Sequence, residues 1–284
     1  MFQYDLKIAD LVIRIESQKR IVFDECFQPF LEASDSSGRP DIRIEVQFYE
    51  KDVLAYEKGE KIADNILKAG DRIIRRYALQ EKEYLYRIEY TGRKDFYRLE
   101  VPELFKDSFC NRVNMLLYLS MERLLLPFRR ILLHASAVIY NGRAYIFTAP
   151  SGGGKSTHAA LWEKYYDAEI LNGDKVIIKT GADGCMAYGG PIAGSSGIYK
   201  QKKAPVAAIV FLEKGTRNKV RTEIKRKGYL KLYSQLIKST WDEEYNCRLL
   251  ELAEMVIKTT PVVTLTCTAE REAVECIKNH LERL

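Results

Sequence analysis

A glycine-rich segment limits the folds open to this chain more than any other feature of the sequence. Residues 149–156 read Ala-Pro-Ser-Gly-Gly-Gly-Lys-Ser and follow the spacing GxxxxGK[ST], with alanine in the first position. Glycines permit positive φ angles and let a ligand approach the backbone closely. Backbone amides of such a loop surround an anion together with the N-terminus of the helix that follows. The segment therefore predicts a phosphate-binding loop spanning Ala149 to Thr157.

The residue types in this loop correspond to the parts of a nucleoside triphosphate. We predict that Lys155 reaches the β- and γ-phosphates and that the Ser156 hydroxyl is a ligand of Mg²⁺. ATP with Mg²⁺ is the predicted cofactor pair. The residues predicted to bind it are Ser151, Gly152, Gly153, Gly154, Lys155, Ser156 and Thr157.

The residues on either side of the loop predict a strand before it and a helix after it. Residues 137–140 and 143–148 are strand-like, and Asn141-Gly142 between them is a strong signal for a tight hairpin turn. Residues 155–166 have the composition of a helix. The loop is thus expected to follow the second arm of an antiparallel hairpin, whereas the loop strand of common parallel phosphate-loop folds begins a βαβ series.

The first hundred residues predict a mostly antiparallel β domain, to which we assign substrate recognition as a hypothesis. Alternation and β-branched or aromatic content predict strands, whereas residues 55–67 predict a helix and residues 35–40 a loop. Apolar residues at helical spacing predict one helix over 109–126, which Pro127 ends or bends. We place the domain boundary near residue 105, giving domains 1–105 and 106–284. The predicted strands are 7–15, 20–23, 41–48, 84–90 and 96–101.

The remainder of the chain alternates between strand and helix patterns, which predicts an α/β fold with some α+β character. A loop rich in Gly, Pro and Ser is expected over residues 189–197. The predicted strands are 170–179, 206–212 and 261–267, and the predicted helices are 230–237, 243–257 and 270–284.

Composition excludes several classes of protein. No apolar run approaches the length of a membrane span, and the N-terminus lacks the features of a secretory signal, so we expect a cytoplasmic protein without a membrane partner. Six scattered cysteines form no CxxC pair, which predicts free thiols rather than a metal cluster. Eleven Lys or Arg residues and two acids lie between residues 200 and 231. No nucleic-acid-binding motif accompanies this basic stretch, and we expect a solvated surface and no nucleic-acid partner.

The loop and its surroundings resemble a known family. The segment LLHASAVIYNGRAYIFTAPSGGGKST resembles the catalytic domain of bacterial HPr kinase/phosphorylase, which shares its fold with phosphoenolpyruvate carboxykinase. The later segments YGGPIAGSSGIY, APVAAIVFLEKG and VVTLTCTAEREAV are similar to HPr-kinase-like proteins of peptide-modification pathways, including those of lasso peptides. The resemblance covers roughly residues 130–284. It implies a phosphate-loop kinase domain with a mixed sheet, and a homo-oligomer.

The resemblance also implies roles for two residues outside the loop. His134 matches a family Leu-His pair that precedes the hairpin, and residues 171–176 match a strand that ends in two aspartates. Those aspartates bind metal and abstract the proton of the acceptor serine in the family. Here Gly173 replaces the first, and only Asp174 remains. Asp174 is therefore a candidate for the base or for a Mg²⁺ ligand beside Ser156, and His134 is the alternative base.

The leading functional hypothesis is an ATP-dependent kinase that phosphorylates a hydroxyl, expected to be a serine of a peptide or small protein. Its predicted catalytic residues are Asp174, Lys155 and His134. A kinase of small molecules, such as free serine or a sugar, is an alternative. A nucleotide-binding partner protein without catalysis is another, because one family aspartate is missing.

Overall fold

A computed structural model describes residues 1–32, 38–52, 54, 57–79, 83–109 and 112–283 of the chain. The chain forms two compact units, Met1–Leu124 and Leu125–Leu284. This division falls at the last residue of the helical segment, whereas the sequence placed the boundary before that segment, near residue 105. Within the described residues, none of the helices has the length and apolar character needed to pass through a lipid bilayer.

The first unit contains one mixed sheet that is mostly antiparallel, as predicted. Its strand order is β1-β2-β3-β8-β7-β6-β5-β4, and among the described strands β2–β3 and β3–β8 are the parallel pairs. Branched aliphatic side chains such as Ile15, Ile44 and Leu99 are fully buried in it. The strands are β1 Phe2–Ile8, β2 Leu11–Ser17, β3 Ile42–Tyr49, β4 Glu60–Ala63, β5 Ile66–Ala69, β6 Arg72–Ala78, β7 Tyr84–Tyr90 and β8 Phe96–Pro102.

Three predictions for this unit are wrong. The predicted strand 7–15 is a hairpin, because Ala9 and Asp10 adopt φ angles of 52° and 62° and reverse the chain between β1 and β2. Residues 20–23 alternate in burial but pair with no strand. In place of the predicted helix over 55–67, residues 60–69 form the hairpin of β4 and β5. Residues 55 and 56 of that helix and 35–37 of the predicted loop lie outside the described residues.

The single helix predicted over 109–126 is also wrong, because the described residues form three short helices. These are α1 Lys106–Phe109, α2 Arg112–Leu119 and α3 Met121–Leu125. Ser120 interrupts the last two with a φ angle of 49°, which an α-helix does not accept. Pro127 lies in a short 3-10 turn directly after α3.

The second unit combines a mixed sheet with four helices among its described residues, which confirms the predicted α/β class and mixed sheet. Its strand order is β10-β9-β12-β13-β14-β16-β15, with β11 also paired to β9 and β10 to β14. The strands are β9 Arg130–Tyr140, β10 Arg143–Thr148, β11 Glu169–Asn172, β12 Lys175–Thr180, β13 Cys185–Tyr188, β14 Lys203–Lys214, β15 Lys219–Thr222 and β16 Val262–Cys267. The helices are α4 Lys155–Tyr166, α5 Lys225–Gln235, α6 Glu243–Thr259 and α7 Arg271–Leu281.

Two features of this sheet place the glycine-rich loop. The predicted hairpin is confirmed, since β9 and β10 pair antiparallel across Asn141 and Gly142 with φ angles of 49° and 71°. Strands β10, β14 and β16 run parallel to one another, so their carboxyl ends lie at one edge of the sheet. The loop follows β10 at this edge, which is where ligands bind in open α/β sheets.

Helices cover the sheet through two apolar clusters. One cluster contains Leu232 of α5 and Leu252 of α6, and the other contains Trp162 of α4 and Val274 of α7. The helix after the loop is therefore held against the strand before it by fully buried side chains, and Trp162 is 0% exposed. This packing fixes the direction of the first turn of α4.

The sequence missed other features of this unit. The predicted strand 170–179 is two strands, because a turn at residues 173–174 separates β11 from β12. Strands β13 and β15 were not predicted. The remaining predicted elements are present with shifted ends. The five cysteines among the described residues are free, and one of them, Cys247, is exposed.

Candidate functional site

The glycine-rich loop requires its three glycines for two different reasons. Gly152 and Gly154 have φ angles of 72° and 90°, in the region that side chains disfavour. Gly153 has no room for a side chain, because a Cβ atom there would lie 2.5 Å from the Cβ of Ala149 and 2.8 Å from the carbonyl oxygen of Pro150. Its amide donates a hydrogen bond to that carbonyl at 2.9 Å. The loop is therefore tightly wound.

Lys155 is the first residue of α4, and its side chain folds back into the loop. It is 8% exposed, and its ammonium donates hydrogen bonds to the carbonyl oxygens of Ala149 at 3.1 Å and Pro150 at 3.5 Å. Burial lowers the pKa of Lys155, and the Asp174 carboxylate acts in the opposite direction. The loop therefore holds the ammonium group of Lys155 at its centre, close enough to Asp174 for the two charges to interact.

The first turn of α4 leaves its backbone amides without a side-chain cap. Gly154 is the N-cap residue, and it has no side chain to accept their hydrogen bonds. The first turn carries no acidic side chain, and Ser156 and Thr157 are exposed on it. Uncapped amides and the positive end of a helix dipole favour an anion.

Three polar side chains meet beside this loop. The two carboxylate oxygens of Asp174 have different partners: Oδ1 lies 3.4 Å from Nε2 of His134, and Oδ2 lies 2.8 Å from Nζ of Lys175. Burial and the charge of Lys155 lower the pKa of His134, against the effect of Asp174, so the imidazole is uncharged at neutral pH. Each of the three side chains is 23–30% exposed and so is accessible to a ligand.

The backbone around Asp174 is held by a buried amide side chain. Oδ1 of Asn172 accepts hydrogen bonds from the amides of Asp174 and Lys175, both at 2.9 Å, and its Nδ2 donates one to the carbonyl of Gly190. Asn172 is 0% exposed. Sequence reasoning did not select Asn172, although asparagine before Gly-Asp is a known turn signal.

The loop after β13 packs directly on Gly173 and Asp174. A Cβ atom at Gly173 would lie 1.9 Å from Oγ of Ser196, and a Cβ atom at Gly194 would lie 2.7 Å from the Cβ of Asp174. A side chain at position 173 is therefore excluded by Ser196.

A cavity of about 410 Å³ opens beside the loop, at the carboxyl ends of β14 and β16. The glycines of the loop and Thr157 line one wall, and the ends of β14 and β16 line the other. The second wall consists of Leu212, Glu213, Lys214, Gly215, Cys267, Thr268 and Ala269.

The predicted site residues thus form two neighbouring groups. Ser151 to Thr157 form the loop and the first turn of α4, while His134 and Asp174 lie beside it with Lys175, which the sequence analysis did not select. Within the described part of the chain, no three His, Cys, Asp or Glu side chains gather as metal ligands. The predicted sharing of Mg²⁺ between Ser156 and Asp174 stays a prediction.

Other polar side chains near the loop have structural partners. His158 is 3% exposed and accepts a hydrogen bond from Nε1 of Trp162, and burial lowers its pKa to about 4. Lys200 and Lys202 both contact Glu169 at 2.8 Å. These lysines therefore form ion pairs at the start of β11.

The chain was compared with family profiles, curated proteins and solved structures. No protein-family profile matches the sequence, and no curated protein is similar to it. The chain is similar to the solved structure of the Hpr(Ser) kinase/phosphatase from Coxiella burnetii, with 14% sequence identity and a TM-score of 0.32, over 54% of this chain and 97% of that chain. At these values the likeness establishes no shared activity. The predicted link to peptide-modification pathways stays a prediction.

Proposed function

We propose that this protein is an ATP-dependent phosphotransferase that moves the γ-phosphoryl group of ATP to a hydroxyl, with a serine of a peptide or small protein as the acceptor. The observation that carries this proposal is the pairing of a tightly wound triple-glycine loop around Lys155 with a partly exposed carboxylate, Asp174, within its electrostatic reach. A loop that only turned the chain would need neither a buried ammonium nor a neighbouring carboxylate.

The residues present fit ATP and Mg²⁺. Loop amides and Lys155 match the phosphates, and the adjoining cavity of about 410 Å³ has room for the nucleoside. The Ser156 hydroxyl and the Asp174 carboxylate are oxygen ligands of the kind that Mg²⁺ prefers. When bound, Mg²⁺ would supply positive charge to the phosphate oxygens.

The transfer itself needs positioning and one proton acceptor. The acceptor oxygen forms a bond to the γ-phosphorus while the bond from that phosphorus to the bridging oxygen breaks, and ADP leaves with the electron pair. The hydroxyl proton passes to Asp174, or to His134, which is uncharged at neutral pH. Lys155 neutralises charge on the phosphates. Tight packing of Gly194 against Asp174 fixes the position of this carboxylate.

Incubation with γ-labelled ATP, Mg²⁺ and a library of serine-containing peptides tests this function. Label should appear on peptide, and it should disappear with Lys155→Ala and fall strongly with Asp174→Asn. Arg248→Ala is the matched control, because its side chain is exposed on α6 and pairs with Glu251. Label found on a small-molecule hydroxyl and on no peptide would contradict the peptide acceptor.

A second candidate is a nucleotide-binding protein without catalysis. Both carboxylate oxygens of Asp174 already have partners, His134 and Lys175. A carboxylate held in this way is less available as a proton acceptor, which favours a protein without catalysis. Binding of ATP with no turnover, unaltered by Asp174→Asn, would support it against either kind of kinase.

A further inference from the structure

Lys175 belongs to the same group of side chains as His134 and Asp174 by the register of the sheet. It is the first residue of β12 and lies directly opposite His134 on the antiparallel strand β9. Residues paired in this way have their side chains on the same face of a sheet. Both side chains reach Asp174, one at each carboxylate oxygen.

The side chains of Asp174, Lys155 and Lys175 together carry a net positive charge. Asp174 contributes one negative charge, Lys155 and Lys175 contribute two positive charges, and Ser196 excludes a second acidic side chain at position 173. An excess of positive charge beside a phosphate-binding loop favours the binding of an anionic group. The transferring phosphoryl group carries its charge on three oxygens in the transition state.

We propose that Lys175 is a further catalytic residue, which contacts the transferring phosphoryl group on the side facing the acceptor, opposite Lys155. The inference rests on the proposed phosphotransferase function. In the structure, the ammonium of Lys175 donates a hydrogen bond to Oδ2 of Asp174 at 2.8 Å. When a triphosphate binds, the ammonium turns from Oδ2 of Asp174 to a γ-phosphoryl oxygen.

The side chain has the freedom that this movement needs. Its ammonium stands on four rotatable methylene groups, and it is 28% exposed. A partly exposed ion pair contributes little net stability, so exchanging the carboxylate for a phosphoryl oxygen costs little. Lys155, in contrast, is buried inside the loop and stays with the β- and γ-phosphates.

Binding of ADP with and without aluminium fluoride, measured by calorimetry on the full chain with Mg²⁺, tests the role of Lys175. Aluminium fluoride occupies the place of the transferring phosphoryl group, so it reports on contacts that ADP alone does not make. Lys175→Met should weaken binding of the ADP–aluminium fluoride pair by about 10- to 100-fold, the size of one hydrogen bond to a charged group, and leave ADP binding unchanged. Lys175→Arg should keep most of the affinity.

The matched control is Lys179→Met, because Lys179 lies four residues further along β12 on the same face and opposite Arg130. It should behave like the unaltered chain. Thermal unfolding checks each variant, and if Lys175→Met does not fold, Lys175→Gln must show the same selective loss.

Three results would overturn the inference. These are unchanged binding by the Lys175 variants, an equal loss of affinity for ADP with and without aluminium fluoride, and an unaltered chain that gains no affinity from aluminium fluoride. The proposed function fails separately, if the unaltered chain does not bind ADP at all.

Discussion

The contact between Gly173 and Ser196 makes a prediction that can be measured without knowing the substrate. Replacing Gly173 with alanine places a Cβ atom 1.9 Å from Oγ and 2.5 Å from Cβ of Ser196. Ser196 cannot turn away without loss, because its hydroxyl donates a hydrogen bond to the carbonyl of Ala193 at 2.6 Å and accepts one from the amide of Ile198. The φ angle of Gly173 is not positive, so alanine adds a clash without backbone strain.

The magnitude follows from this geometry. Overpacking of this kind costs about 1–3 kcal/mol, and the overlap at Gly173 belongs at the upper end. Alanine also restricts the unfolded chain, which offsets about 0.4–1 kcal/mol, so Gly173→Ala should destabilise by about 2 kcal/mol. In a Ser196→Gly background the next atom is the Ala193 carbonyl oxygen at 3.6 Å, an ordinary contact. The offset from the unfolded chain is the same in both backgrounds and cancels, so the expected coupling energy between the two positions is about 2.5–3 kcal/mol.

Urea unfolding followed by tryptophan fluorescence measures this coupling. Both tryptophans, Trp162 and Trp241, lie in the unit 125–284, so the signal reports on the correct part of the chain. Ser196→Ala should relieve the clash only in part, since its Cβ would remain 2.5 Å from the new methyl group. Gly190→Ala is the control, because its nearest neighbour is a flexible methyl group at 3.2 Å. Additivity of the Gly173 and Ser196 changes within about 0.5 kcal/mol would refute the reasoning.

Three further predictions concern the catalytic centre and the dependence of stability on pH. Gly194→Ala should displace Asp174 and lower the rate of phosphoryl transfer by up to about 100-fold, with the affinity for ADP unchanged. Equal losses of transfer rate and of ADP affinity would contradict this prediction. Burial opposes the charge of Glu223, but hydrogen bonds from its neighbours outweigh burial and lower its pKa to about 2. The stabilisation that Glu223 contributes is complete above pH 4.5 and should be lost as the pH falls toward 2. Acid unfolding of Glu223→Gln should lack this pH-dependent loss. Burial raises the pKa of Glu100 to about 7, so stability should fall between pH 4.5 and 7, and calorimetry should show Glu100→Gln without that fall.

Local sequence signals determined the elements around the loop. The Asn141-Gly142 turn, the strand before the loop and the helix from Lys155 to Tyr166 are all present, because turn residues and apolar periodicity act within a few residues of chain. The same local signals were misleading for residues 7–15. Alternation was correct on both sides of Ala9 and Asp10, but neither residue signalled the positive φ angles that reverse the chain.

The sequence by itself determined the loop, its glycines and lysine, and two candidate side chains, His134 and Asp174, through short patterns whose chemistry is local. Only the tertiary structure decided what surrounds them. Lys175 adjoins Asp174 in the chain, but only sheet register places it opposite His134, which precedes it by 41 positions. Ser196 excludes a second carboxylate through packing between two loops. Register and packing join residues that are distant in sequence, so no local pattern contains them.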